Sequence, residues 1–189
     1  MKILNFKNQQ ILLLSDTHGK HKNIKIPKNL DIIIHCGDIC NDGNMLEIKD
    51  FFEWFSRIDV SHKIFINGNH DLPFELEPEE SKLLIPRNIV WLNDQSIIIK
   101  NIKIKAINAF FNFDELDFEK EVDILVSHYP PFGILDDGFG SNEIKNYALK
   151  TRPKFHIFGH NHKDTGTLKI NDIEFINASC YEELYFLKV

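Results

Sequence analysis

Cysteine is scarce in this chain, with Cys36, Cys40 and Cys180 the only three among 189 residues. An odd number without CxxC spacing excludes a disulfide framework and a thiolate zinc knuckle, and the three read as reduced, mostly buried thiols. Long apolar runs are missing too. None approaches the ~20 residues that span a bilayer, and the opening MKILNFKNQQ has neither the apolar core nor the small-residue cleavage site of a secretory leader. The expectation is therefore a cytoplasmic protein without membrane contact. Excess positive charge is absent as well. Lys and Arg number 22 against 28 Asp and Glu, a net charge of −6, which argues against nucleic acid as a partner because binding a phosphate backbone calls for a basic face. Neither a Walker A glycine loop nor a GxSxG elbow occurs. There is no repeat, no low-complexity tract and no linker rich in Pro, Gly or Ser. With 43% hydrophobic residues, residues 1–189 read as one domain around one buried core. The acidic stretch FELEPEES reads as a solvated loop or helix start.

What is present is a recurring pattern of short apolar runs that end in metal-ligand side chains. ILLLSDTH ends in Asp16 and His18, DIIIHCGD in Asp38, KIFINGNHD in Asn69, His70 and Asp71, DILVSH in His128, and KFHIFGHNH in His160 and His162. These runs show little alternation, as strands covered on both faces do. Between them, NMLEIKDFFEWFSRI reads as a helix, with Met45, Ile48, Phe52 and Phe55 on its apolar face. Asn44 reads as its N-cap and Glu47 as the capping partner. Strand, helix, strand order implies right-handed crossovers and a largely parallel sheet, whose strands point their carboxyl ends to one edge. The five polar ends are therefore expected to meet. SIIIKNIKIKAIN and TLKINDIEFIN read as hairpins turning at Lys100–Asn101 and Asn171–Asp172, and the closing LYFLKV as a final strand.

The gathered side chains determine the chemistry. Asp16, His18, Asp38, Asn69, His128, His160 and His162 offer carboxylate, amide oxygen and imidazole without thiolate. That mixture suits Mn²⁺, Fe or Zn²⁺, with Co and Mg²⁺ also candidates, and matches Ca²⁺ poorly. Seven ligands exceed the needs of one ion. Two divalent ions bridged by one carboxylate, with Asp38 as the bridge, would use them all and form a clamp for phosphoryl transfer.

The ordered set DTH, GD, GNHD, SH and GHNH, spanning residues 16 to 162, resembles the calcineurin-like metallophosphoesterase superfamily. SHYPPFGILD, RPKFHIFGHNH and FINASC are similar to its small phosphodiesterase branch, which includes the MPPED-type and class III cyclic-nucleotide phosphodiesterases. The resemblance implies an α/β fold, a double β-sandwich flanked by helices in αββα order. It further implies one metal on Asp16, His18, Asp38 and His162 and a second on Asp38, Asn69, His128 and His160. His70 is implied to face the leaving-group oxygen as the catalytic acid. The alternative for His70 is to orient Asn69 or Asp38, while Asp71, also assigned to catalysis, either orients His70 or caps the next segment. Two departures stand out. AINAFFNFDELD replaces a Gly-Ser-Pro-Trp-like element common in the branch, and GDICNDG puts Asp42 where the protein phosphatases of the superfamily carry a phosphate-binding Arg, which argues against a protein phosphatase.

The activity expected is hydrolysis of a small-molecule phosphodiester, cyclic nucleotides among the candidates, by a hydroxide bridging two metal ions, manganese first among them. The alternatives are a phosphomonoesterase acting on nucleotides or sugar phosphates, a nuclease, and a non-enzymatic scaffold. Composition does not bear on oligomeric state. Of the other histidines, His35 and His156 read as core residues, His62 as a loop residue, and His21 as a solvated loop residue or one close to the site. Phe132 and Phe139, after His128, are expected to wall the pocket or pack their own loop.

Overall fold

The computed structural model describes residues 1–112 and 118–185. The chain opens with a hairpin, β1 (Lys2–Phe6) and β2 (Gln9–Leu14), and continues through β3 (Ile32–His35), α1 (Met45–Arg57) and β4 (His62–Phe65). Two short helices, α2 (Pro73–Leu76) and α3 (Pro78–Lys82), lead to β5 (Val90–Trp91). Then come β6 (Ser96–Ile99), β7 (Ile102–Ile107), β8 (Ile124–Ser127), α4 (Asn142–Thr151) and β9 (Phe155–Phe158). A last hairpin, β10 (Gly166–Ile170) and β11 (Ile173–Asn177), precedes the helical turn α5 (Tyr181–Tyr185).

Two sheets result, ordered β1-β2-β3-β4-β5 and β10-β11-β9-β8-β7-β6. The inner strands pair in parallel, and the hairpins β1/β2, β6/β7 and β10/β11 supply the antiparallel pairs. Because side chains alternate along a strand, each apolar run serves two cores. Ile11, Leu13, Ile32, Ile34 and Ile64 face Ile104, Ile124, Val126 and Ile157 between the sheets. Their neighbours Leu12, Leu14, Ile33 and Phe65 turn outward onto Ile48, Phe51, Phe52 and Phe55 of α1, while Leu125, Phe158 and Phe175 cover Tyr147 and Ala148 of α4. The order is helix, sheet, sheet, helix, in agreement with the αββα expectation. Truncating Phe52, which is 1% exposed, to Ala costs ~3–5 kcal/mol.

Local chemistry sets the boundaries. The Asn44 side chain accepts hydrogen bonds from Leu46 N and Glu47 N and starts α1. Ser141 does the same for α4 through Ile144 N, and α4 ends at Arg152, whose φ of 49° precedes Pro153. The turns Lys100–Asn101 (φ 50° and 61°) and Asn171 (φ 53°) lie where expected.

Five expectations need correction. Lys7 and Asn8, with φ of 48° and 62°, close a first hairpin that was not anticipated. Met45, the first residue of α1, remains 40% exposed, and Phe51 completes the apolar stripe instead. Glu47 does not reach back to its cap; its carboxylate accepts from Asn41 N at 2.7 Å. Leu184 and Tyr185 are helical, where a final strand was expected, and 186–189 lie outside the described residues. His62 opens β4 and is no loop residue. All three cysteines are free and buried, and no helix among the described residues is long and apolar enough to cross a membrane.

Candidate metal centre

The carboxyl ends of β2, β3, β4, β8 and β9 converge on one edge, and the backbone there is unusual. Asp16, His18, Asp38 and His160 have φ of 56°, 40°, 59° and 65°, a left-handed region that side chains enter at a cost of ~1–3 kcal/mol each unless neighbours enforce it. Here neighbours do. Asp16 N donates to Gly37 O at 3.0 Å, His18 N to Asp38 O at 3.1 Å, and Gly159 N to His128 O at 3.0 Å. His160 N donates to both Asp16 carboxylate oxygens, at 3.0 and 3.1 Å. The loops also touch so closely that a Cβ on Gly37 would lie 2.5 Å from Gly68 N, which leaves room only for glycine.

Asp71 organises these loops from behind. Fully buried, it accepts from Asp38 N and Gly68 N on Oδ2, each at 2.8 Å, and from Ile39 N on Oδ1 at 3.0 Å. Burial and then the charge of Asp38 push it up to about 7, against the pull of the Gly68 and Ile39 N–H groups. Its side chain neither orients the His70 ring nor caps α2; it holds the two turns that carry Asp38 and Asn69.

The ligand side chains form two clusters. Asp16, His18 and His162 make one and Asp38, His128 and His160 the other, each with its ligand atoms within 4.8 Å of one another. Asp38 Oδ2 lies 3.6 Å from His18 Nε2 and 3.4 Å from His128 Nε2, so one carboxylate faces both clusters. Asn69 Oδ1 is 2.9 Å from both His128 Nε2 and His160 Nδ1. His128 Nδ1 contacts the Cys36 carbonyl at 2.8 Å; a carbonyl only accepts, so Nδ1 carries the proton and Nε2 faces the cluster.

These residues fit cations. His18 Nε2 is buried without a hydrogen-bond partner, and Asn69 Oδ1 meets two ring nitrogens that one cation would satisfy together. Burial holds His18 below the usual range, and burial followed by the His128 charge lowers His160 to about 4, so both keep a lone pair at neutral pH. For Asp38, burial is outweighed by His128 and His18, leaving its carboxyl well below the ordinary range. Burial opposes charge on His128 too, but Asp38 prevails and lifts it to about 9.

His70 sits at the rim. Its backbone N donates to Asp38 Oδ1 at 2.9 Å, and its ring, 5.0 Å from that of His18, places Nδ1 2.9 Å from Asp42 Oδ1. Sequence reasoning offered Asp71 either as the residue that orients this ring or as a cap, and left Asp42 without a role; only the path of the loop after β3 brings Asp42 across. His35 and His156 are core residues, as expected, while His21 is neither solvated nor at the site. It is buried, 3.2 Å from Asp50 and against Phe51 and Trp54. Phe139, 69% exposed, lines a groove of about 260 Å³ with His160 and His162. Phe132 instead lies beneath Lys145 Nζ, 5.6 Å from its ring centroid. A larger groove of about 750 Å³ beside Asp94, Lys105 and Glu119 contains none of the ligand residues.

The sequence model of the family described as calcineurin-like phosphoesterase matches residues 10–164. The chain is 27% identical over 218 residues to human metallophosphoesterase domain-containing protein 1, a match covering 90% of this chain and 65% of that one. A UPF0046 protein of Caenorhabditis elegans is 26% identical over 201 residues, 90% of this chain and 69% of the relative. Among solved structures, TT1561 of Thermus thermophilus superimposes with a TM-score of 0.64 at 14% identity, covering 89% of this chain and 88% of that one; this is a likeness of fold.

Proposed function

Because the chain belongs to the calcineurin-like phosphoesterase family, whose fold implies divalent metal ions, we propose that it is a dinuclear phosphodiesterase acting on small-molecule diesters. The observation that carries the reading is the place of Asp38, whose Oδ2 faces His18 on one side and His128 on the other at 3.6 and 3.4 Å. Asp16, His18, Asp38 and His162 would hold one cation, and Asp38, Asn69, His128 and His160 the other. Manganese is the first choice for this mixture of carboxylate, amide and imidazole. Cations bound there supply an acidified water and neutralise charge on the phosphoryl oxygens.

The remaining work falls to the chain. Asp42 accepts from His70 Nδ1 and so sets the direction of the ring. In its imidazolium form the ring also carries a proton on Nε2, which it gives to the departing oxygen, leaving the neutral ring with its remaining proton on Nδ1 toward Asp42; general-acid help of this kind contributes roughly 10²–10⁴ in rate. Asp71 keeps the Asp38 and Asn69 turns in place. The groove beside Phe139 gives a second ester group somewhere to lie, which favours diesters over monoesters, and the net charge of −6 disfavours polynucleotides.

The test is hydrolysis of bis-p-nitrophenyl phosphate beside p-nitrophenyl phosphate, on metal-stripped protein with Mn²⁺ restored and Asp38→Ala as control. Manganese-dependent diester cleavage that the control lacks supports the proposal and directs a screen of cyclic nucleotides. Monoester turnover above diester turnover refutes the diester assignment, and cleavage by Asp38→Ala at the wild-type rate refutes the metal centre.

A further inference from the structure

His162 is the least enclosed ligand of its cluster, with a side chain 30% exposed against 3% for His18 and 0% for Asp16. A partly exposed imidazole at the end of a loop can change rotamer unless something packs on its face, and such a change moves its ring nitrogens away from where they now lie. One face is packed. The Tyr181 ring stacks on His162 at a centroid distance of 3.9 Å and an interplanar angle of 13°. Tyr185 stacks behind it at 4.3 Å and 15°. The same Tyr181 ring meets His18 edge-on at 5.3 Å, so one side chain touches two of the three members of this cluster.

The stack is anchored by backbone and packing contacts as well as by the ligand rings. Tyr185 donates through its hydroxyl to the His18 carbonyl at 2.8 Å, and Lys20 Nζ lies 5.5 Å above its ring. Cys180 N donates to Ser15 O at 2.9 Å, one residue before Asp16, and Ser15 and Ser179 form a bridge between strand ends. Glu183 pairs with the N-terminal ammonium at 2.8 Å, and Leu184 packs against the core under α1. The short helix α5 thus delivers two rings to the open side of the centre from a fixed base.

We infer that Tyr181 is a positioning residue for the metal centre, holding His162, and through its edge contact His18, in the orientation that binds the cation of the Asp16, His18 and His162 cluster. The inference rests on reading these clusters as a metal centre. It makes the two clusters unequal, because no contact of Tyr181 reaches His128, His160 or Asn69 among the described residues. Residues that orient metal ligands typically alter affinity by about 10–100-fold when removed.

The experiment is calorimetric titration of the full metal-free chain with Mn²⁺ alone, on wild type, Tyr181→Ala, Tyr181→Phe and His162→Ala, with a thermal melt of each metal-free variant. Tyr181→Phe retains the stacked ring and should bind both ions within about twofold of wild type. Tyr181→Ala should lose about 10–100-fold in one binding step, the step that His162→Ala abolishes, and keep the other. Wild-type binding of both ions by Tyr181→Ala overturns the inference. So does equal weakening of both steps together with a lowered melting temperature, which would make Tyr181 a packing residue only. Failure of the wild type to bind Mn²⁺ overturns the metal centre itself, and shows in the wild-type titration alone.

Discussion

His156 is expected to make the fold acid-sensitive, by an amount that its surroundings specify. The ring is fully buried in β9, its Nε2 2.8 Å from Ser127 Oγ and its Nδ1 without a partner. Ser127 Oγ already donates to Tyr129 O at 2.7 Å, so it accepts from His156, and the proton of the neutral ring sits on Nε2. A second proton would have to occupy Nδ1, buried against Phe158 and Phe175 with nothing to accept it. Burial accordingly lowers the ring from 6.5 to about 3. Between those two values the unfolded chain binds a proton that the folded chain refuses, so stability is complete above pH 6.5 and falls as pH drops toward 3. At ~1.4 kcal/mol per pH unit the full loss is ~4–5 kcal/mol, a large share of an ordinary domain's ~5–15 kcal/mol. Urea unfolding of metal-free protein at pH 7.5, 6.5, 5.5 and 4.5 reads the effect. His156→Leu leaves Ser127 its bond to Tyr129, and should flatten the acid limb by ~2–3 kcal/mol between pH 6.5 and 4.5. Parallel limbs in wild type and variant would show that His156 is protonated in the folded state and that this reasoning fails.

Other expectations follow from the site. Asp71→Ala strands three buried N–H groups, at ~1–3 kcal/mol each, and should cost at least ~3 kcal/mol in urea unfolding while weakening Mn²⁺ binding; unchanged stability would remove its organising role. His70→Ala should retain both metal ions and lose roughly 10²–10⁴ in kcat on diesters with poor leaving groups, with Asp42→Asn showing a smaller loss of the same kind; full activity of the His70 variant on such diesters removes it from the mechanism. His128, lifted to about 9, must shed a proton to ligate a cation, so Mn²⁺ binding at pH 7.5 should release about one proton and tighten as pH rises toward 9. Calorimetry in buffers of different ionisation enthalpy counts that proton, and a count of zero contradicts the coupling of His128 to Asp38.

The difference between what was legible in the sequence and what was not lies in how far apart the interacting residues are. The strands were legible because each is covered on both faces and so reads as an unbroken apolar run. The convergence of Asp16, His18, Asp38, Asn69, His128, His160 and His162 follows from parallel topology alone, since strands running the same way deliver their ends to one edge. The first hairpin had a usable signal that went unread: Lys7–Asn8 is the same dipeptide that turns at Lys100–Asn101, and all four residues adopt positive φ. The roles of Asp42 and Asp71 had no such signal. Adjacency made orienting His70 one of two roles open to Asp71, but the chain turns between them, so that Asp71 points back into the loop N–H groups and Asp42, 28 residues before His70, reaches the ring. Tyr181 is a stronger case of the same limit. It lies beyond the last ligand motif, in a segment whose LYFLKV pattern suggested a strand, and it meets His162 only because β11 runs parallel to β9 and ends beside β2. Strand ends can be read locally; the residues that hold a centre's ligands still arrive from loops and helices whose paths are set by packing.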